Sequence, residues 1–227
     1  MLKMGFNEGC TWDGNRGCAD QSLMADLKAC AKYGFKGIDI RFDCLDKYLA
    51  EGGTLEELNA FMKANDIVPL SYNALCFFNM KQTAEEKQAV MDELDDIIKK
   101  CAALDCHMVV VVPSCDLNEK GIEATRQEIR DDAVAVLKEM VKKCEPTGLK
   151  LSLEFCGAPS MSINTFDDAY EIVKLVDSPL MGVTLDQYHF NGMRSDWSKL
   201  EKADGDKIFV WHPVSYTHLT LPTNSRV

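Results

Sequence analysis

Lys150–Cys156 reads KLSLEFC, Gly182–Asp186 reads GVTLD and Ile208–His212 reads IFVWH. Each is a short apolar run that ends in a group able to bind a cation. Alternation with period two sends Ser152 and Glu154 to one face of the first run, and Leu151, Leu153 and Phe155 to the other. The same parity pairs Thr184 with Asp186, and Val210 with His212. Longer segments of helical period separate the runs, which is the mark of βα units and a parallel sheet. Helices cover the outside of such a sheet, so the apolar set faces outward and the polar set faces the axis. Glu154, Asp186 and His212 are therefore expected at one rim, at the C-terminal ends of the fifth, sixth and seventh strands.

Working outward, four earlier runs complete the series: Lys3–Glu8, Gly37–Phe42, Ile67–Leu75 and His107–Ser114. Thr83 followed by Glu86 reads as a capping box that opens a helix reaching about Leu104. Val134, Leu137, Val141 and Cys144 recur at helical spacing, and Gly148 then stops that helix. Two architectures accept such a chain, a closed barrel or an open doubly wound sheet. The second calls for a glycine fingerprint after the first strand, and GFNEGCTWDGNRG at residues 5–17 does not match G-x-G-x-x-G. The expectation is an α/β protein, a TIM (β/α)8 barrel truncated after strand seven, filling residues 1–213 as one domain. Val214–Val227, VSYTHLTLPTNSRV, breaks the pattern with Thr and Pro and no acidic residue. It reads like the in-frame translation of a transposon-type sequencing adapter, so residues 214–227 are expected to be a non-native tail, and His218 carries no role.

Composition narrows the partners. The chain has 227 residues, 46% of them hydrophobic, and a formal net charge of −11 from 36 acidic against 25 basic residues. An acidic surface repels phosphate backbones and anionic membranes, so neither a nucleic acid nor a membrane is an expected partner, whereas a neutral polyol meets no such penalty. Ten cysteines suit buried apolar positions better than a disulfide framework in a chain this long, and no close CxxC pair suggests cysteine-bound zinc. The N-terminus has no apolar signal core, and no 18-residue apolar run occurs. A reduced, cytoplasmic protein is expected.

Carboxylates converging in a buried site repel one another unless a cation neutralises them. Mixed carboxylate and imidazole donors suit Zn, Mn, Fe or Co better than Ca or Mg alone, and one divalent ion, zinc or manganese, is expected. Taken singly, each residue is a polar strand end; three in register on successive strands make the metal site the stronger reading. In Asp186-Gln187-Tyr188-His189, His189 lies past the strand end and is expected to face substrate, with a backbone-bonded loop histidine as the alternative. His107 opens the fourth strand at the opposite face and reads as structural. Asn7, Glu8, Arg41 and Asn73 end the first three strands, where they are expected to bind the hydroxyls of a small keto-polyol. Phe77 and Phe78 could wall the ligand or simply pack; Trp12 and Trp211 receive no role.

These residues resemble the xylose-isomerase-like sugar isomerase/epimerase superfamily, and within it the inosose isomerases of inositol catabolism. The likeness runs from Met1 to His212. It is densest in FNEG at Phe6–Gly9, NALCFFN at Asn73–Asn79 and LEFCGAP at Leu153–Pro159. It continues in INTFDDAYEIV at Ile163–Val173, LDQYHF at Leu185–Phe190 and ADGDKIFVWH at Ala203–His212. The resemblance implies a metal held by two glutamates, an aspartate and a histidine, of which Glu154, Asp186 and His212 match three. The fourth, a glutamate on an eighth strand, has no counterpart. His189 matches a substrate contact. Related ketose 3-epimerases carry a substrate-binding glutamate where Ser160 stands. The implied activity moves a carbonyl between adjacent carbons of 2-keto-myo-inositol, with Glu154 as base and His189 assisting. A ketose 3-epimerase and an inactive truncated fragment are the alternatives; a DNA-repair endonuclease is disfavoured by the charge.

Overall fold

The computed structural model describes residues 5–11 and 22–214. Trp12, His218 and all but the first residue of the expected tail lie outside the described residues. Seven strands hydrogen-bond in chain order, β1 (Gly5–Asn7), β2 (Gly37–Arg41), β3 (Val68–Cys76), β4 (Met108–Val112), β5 (Lys150–Glu154), β6 (Met181–Asp186) and β7 (Ile208–His212). The β1–β2, β2–β3, β5–β6 and β6–β7 pairings are parallel. Sequential order decides between the two architectures, because a doubly wound sheet reverses direction part-way and its order is not sequential. This is the winding of an α/β barrel, as the alternating pattern implies. The helices are α1 (Leu23–Tyr33), α2 (Phe42–Ala50), α3 (Leu55–Ala64), α4 (Ala84–Leu104), α5 (Arg126–Cys144), α6 (Phe166–Val176), α7 (Gln187–Gly192) and α8 (Trp197–Glu201). None is long and apolar enough to cross a membrane.

The chain divides into two compact units. The first takes Met1–Leu75, Met91–Val110 and Cys144–Leu149. Its helices start and stop where local chemistry tells them to. Ser22 caps α1 by accepting the Ala25 N–H, and Gly34 ends it in the left-handed region at φ 78°, which glycine adopts without a Cβ penalty. Thr54 and Glu57 form a reciprocal capping box at the head of α3. Leu23, Leu27 and Cys30 of α1 and Leu58 and Met62 of α3 are buried at helical spacing. Burial of each leucine contributes about 1.5–3 kcal/mol.

The second unit takes Cys76–Val90, Val111–Lys143 and Lys150–Val227. Thr83 and Glu86 cap the start of α4 reciprocally, as the sequence implies. The buried residues of α5 are Ile129, Ala133, Leu137, Met140, Val141 and Cys144; Leu137, Val141 and Cys144 lie inward as expected, while Val134 is half-exposed and Ala133 takes the inward position. Helix α6 carries the strongest apolar face: Phe166, Ala169, Ile172, Val173 and Val176 are all buried. Phe166 meets Phe155 edge-on with centroids 6.1 Å apart, and stacks on Tyr170 at 5.4 Å. This packing seats β5 and β6 with their outward residues Leu151, Leu153 and Val183 fully buried. Their inward residues Ser152 and Thr184, also fully buried, satisfy each other through a 2.6 Å hydroxyl bond.

Candidate metal centre

The register of β5, β6 and β7 aligns the three polar strand ends. Glu154 pairs with Thr184, and Asp186 pairs with His212. Glu154, Asp186 and His212 are only 7%, 7% and 6% exposed, so they are removed from the solvent that would screen them. His212 Nδ1 lies 3.2 Å from Glu154 Oε1 and 3.8 Å from Asp186 Oδ2. The sequence-derived trio is thus brought together.

The structure adds His189 to the same group. Glu154, Asp186 and His189 offer donor atoms that all lie within 4.8 Å of one another. Asp186 ends β6 and caps α7, its Oδ1 accepting the His189 N–H at 3.0 Å. That short helix turns the imidazole back toward the strand end, an orientation that the position of His189 beyond the strand did not reveal. Its Nδ1 is buried and has no hydrogen-bond partner. Tyr188 meets the ring edge-on at 5.3 Å.

The electrostatics fit a cation. Burial pushes the Asp186 carboxyl up; the His189 N–H opposes that rise, and the nearby Glu154 charge adds to it. Cys156, two residues past Glu154, has its thiol pushed up by burial and then by Glu154 and Asp186. Two carboxylates, two imidazoles and one orphaned ring nitrogen in a buried cluster form a donor set suited to zinc or manganese. A cation would relieve both the carboxylate repulsion and the unpaired Nδ1.

Asn7, Glu8, Arg41, Asn73 and His107 belong to the first unit. Asn7 donates to Asp39 Oδ2 at 3.4 Å and accepts the Gly9 N–H at 2.7 Å. Glu8 is fully buried, and its Oε2 accepts the Arg41 N–H at 2.7 Å. Its carboxyl also meets Asp26 of α1. Burial pushes the Glu8 carboxyl up to about 8, a rise that the Arg41 N–H opposes and Asp26 reinforces. Arg41 grips Asp43 with two bonds of 2.9 and 2.6 Å. Although burial alone would raise the Asp43 carboxyl, that grip holds it below the usual range. Asn73 pairs with Arg41 across β2 and β3 and is half-buried. His107 is exposed and lies 3.2 Å from Asp105. Phe78 is fully buried as packing, whereas Phe77 is 42% exposed.

Residues 27–223 match the family described as xylose isomerase-like TIM barrel. The chain belongs to the xylose isomerase-like TIM barrel family. Its similarity to isomerases of that family extends over most of its length. It is 39% identical to the inosose isomerase of Halalkalibacterium halodurans, over 93% of this chain and 71% of that protein. It is 36% identical to the inosose isomerase of Bacillus subtilis, over 93% of this chain and 72% of that protein. The crystal structure of the IolI protein with a binding zinc atom is similar with a TM-score of 0.85 and 35% identity, covering 93% of this chain and 72% of that one. The chain is accordingly an isomerase of the xylose isomerase-like barrel family, and Glu154, Asp186 and His189 form a group of donors that could hold a metal ion.

Proposed function

We propose that this isomerase moves a carbonyl between adjacent carbons of a keto-inositol, with a divalent ion held by Glu154, Asp186 and the flanking histidines. The observation that carries the reading is the buried donor cluster with the unpartnered His189 Nδ1. The inosose isomerase relatives supply the substrate class. When bound, the cation supplies Lewis-acid polarisation of the ketone, which acidifies the neighbouring C–H.

The chain's own groups do the rest. Glu154 takes the proton from the hydroxyl-bearing carbon beside the ketone and returns it to the former carbonyl carbon, the reaction passing through an enediolate while the hydroxyl proton crosses to the former ketone oxygen. His212 Nδ1, 3.2 Å from Glu154 Oε1, fixes that carboxylate and tempers its charge. His189 would lend its unpartnered Nδ1 to the ion and leave its second ring nitrogen to hold or pass a hydroxyl proton. Asp186 anchors His189 through its main-chain N–H, so the imidazole is presented without a side-chain tether. Low exposure keeps water from quenching the transferred proton.

Solvent-deuterium exchange into 2-keto-myo-inositol, followed by NMR with zinc or manganese supplied, tests the reading. The chain should exchange the C–H beside the ketone, and Glu154→Gln should lose nearly all of that exchange. Exchange undiminished in the variant removes Glu154 from the base role. Turnover of a ketohexose in preference to the keto-inositol overturns the substrate class.

A further inference from the structure

We propose that Gly157 and Gly192 form a backbone clasp whose task is to aim His189 into the metal centre, making Gly157 a positioning residue. The inference goes beyond the proposed activity and rests on that reading only for treating His189 as a working group. Two glycines, far apart in sequence and unexplained by local structure, carry it. A Cβ on Gly157 would stand 2.1 Å from the carbonyl oxygen of His189 and 2.8 Å from its Cα. A Cβ on Gly192 would stand 2.3 Å from the carbonyl oxygen of Gly157. Neither glycine is among those with positive φ, so a left-handed conformation is not the reason for either. What both positions need is the absence of a side chain, because two main chains approach too closely to admit one.

The segment that Gly157 occupies follows β5 and is itself well held. Cys156 N–H bonds to the Ile163 carbonyl at 3.2 Å, and Asn164 Nδ2 bonds to the Ala158 carbonyl at 3.1 Å. Helix α7 is held from its other end as well, where Ser195 N–H bonds to the Phe190 carbonyl at 3.0 Å. His189 therefore has main-chain anchors on two sides: the Asp186 cap on its N–H and the Gly157 backbone against its carbonyl. Its ring nitrogen Nδ1 has none. In many metal and proton-transfer sites a second carboxylate or carbonyl orients the imidazole through its free nitrogen. Here the main chain does the orienting, which leaves Nδ1 uncommitted. The same loop that leaves Glu154 thus sets the place of His189, so two functional groups on different elements share one rigid support.

Zinc titration of the full chain, read by calorimetry and by the imidazole 1H–15N resonances, tests the clasp. The variants are Gly157→Ala, Gly192→Ala, His189→Gln and the double variant Gly157→Ala/His189→Gln, each checked for a cooperative melt. Gly157→Ala should melt cooperatively, weaken zinc binding by about 10- to 100-fold and shift the His189 resonances far more than those of His212. Gly192→Ala should do the same. In the His189→Gln background the glycine substitution should add less than about twofold, because its effect passes through the missing ring. Equal losses in both backgrounds, or His189 and His212 resonances shifting alike, would show a general structural role and overturn the proposal. So would unchanged zinc affinity with an unmoved His189, or failure of both glycine variants to fold. If the unaltered chain binds no zinc, the functional reading falls, and the clasp is judged by the imidazole resonances alone.

Discussion

Replacing Glu8 with glutamine probes a carboxyl that the fold has buried completely. Its pKa rises from an ordinary 4.5 to about 8, chiefly because burial penalises the charged form. Between those values the folded chain keeps a proton that the unfolded chain has released. The unfolded state binds fewer protons, so stability falls as pH rises through the window. The contribution is fully present below about pH 4.5 and lost above about pH 8. At about 1.4 kcal/mol per unit, integration from about pH 5 to about pH 8 gives a loss of about 3 kcal/mol from this one group. Glutamine keeps an oxygen for the Arg41 N–H and places an N–H where the carboxyl proton sat, able to donate to Asp26. Glu8→Gln should therefore match the unaltered chain near pH 5 and exceed its stability by about 3 kcal/mol near pH 8. Urea unfolding followed by circular dichroism at pH 5, 6, 7 and 8 measures the difference. Two stability curves that stay parallel within about 0.5 kcal/mol would refute the reasoning.

Three other substitutions separate local from site effects. Thr54→Ala removes the 3.1 Å bond to the Glu57 N–H and half of the capping box, and should cost about 1 kcal/mol, seen as a melt lowered by about 2–4 °C. Gly182→Ala would drive a Cβ to within 2.5 Å of the Phe209 ring, and should destabilise by about 1–3 kcal/mol in chemical unfolding. Asp186→Asn keeps the shape of the α7 cap but removes a buried negative charge; zinc affinity by calorimetry should fall by more than about a hundredfold while the melt changes little.

Much of the fold was legible because its signals are local. Period-two alternation located β5, β6 and β7 almost to the residue, and parity alone put Ser152 and Thr184 on the face where they now bond. The capping box at Thr83 marked the start of α4 for the same reason. The extra helices α2 and α3 between β2 and β3 were not singled out, although Thr54 and Glu57 carry the same signature. In the site, Glu154, Asp186 and His212 were readable from strand ends. Membership of His189 in the donor group was not, because it depends on the turn α7 makes after its cap. The Glu8–Asp26 contact joins the turn after β1 to α1, and neither residue's neighbours announce it. The close approach of Gly157 to His189 leaves no periodicity at all, since it is a meeting of main chains.

Asp186 offers one oxygen to the His189 main chain and holds the other 3.8 Å from His212 Nδ1. A single carboxylate is thus both the last rung of β6 and the first peg of α7, and its two oxygens answer to different neighbours. Lengthening it by one methylene cannot satisfy both at once. Asp186→Glu would have to choose between helix and centre, so drift at this position is barred by geometry even where charge is conserved. Retuning the centre with a longer ligand would have to begin at Glu154 or at the histidines, none of which caps a helix.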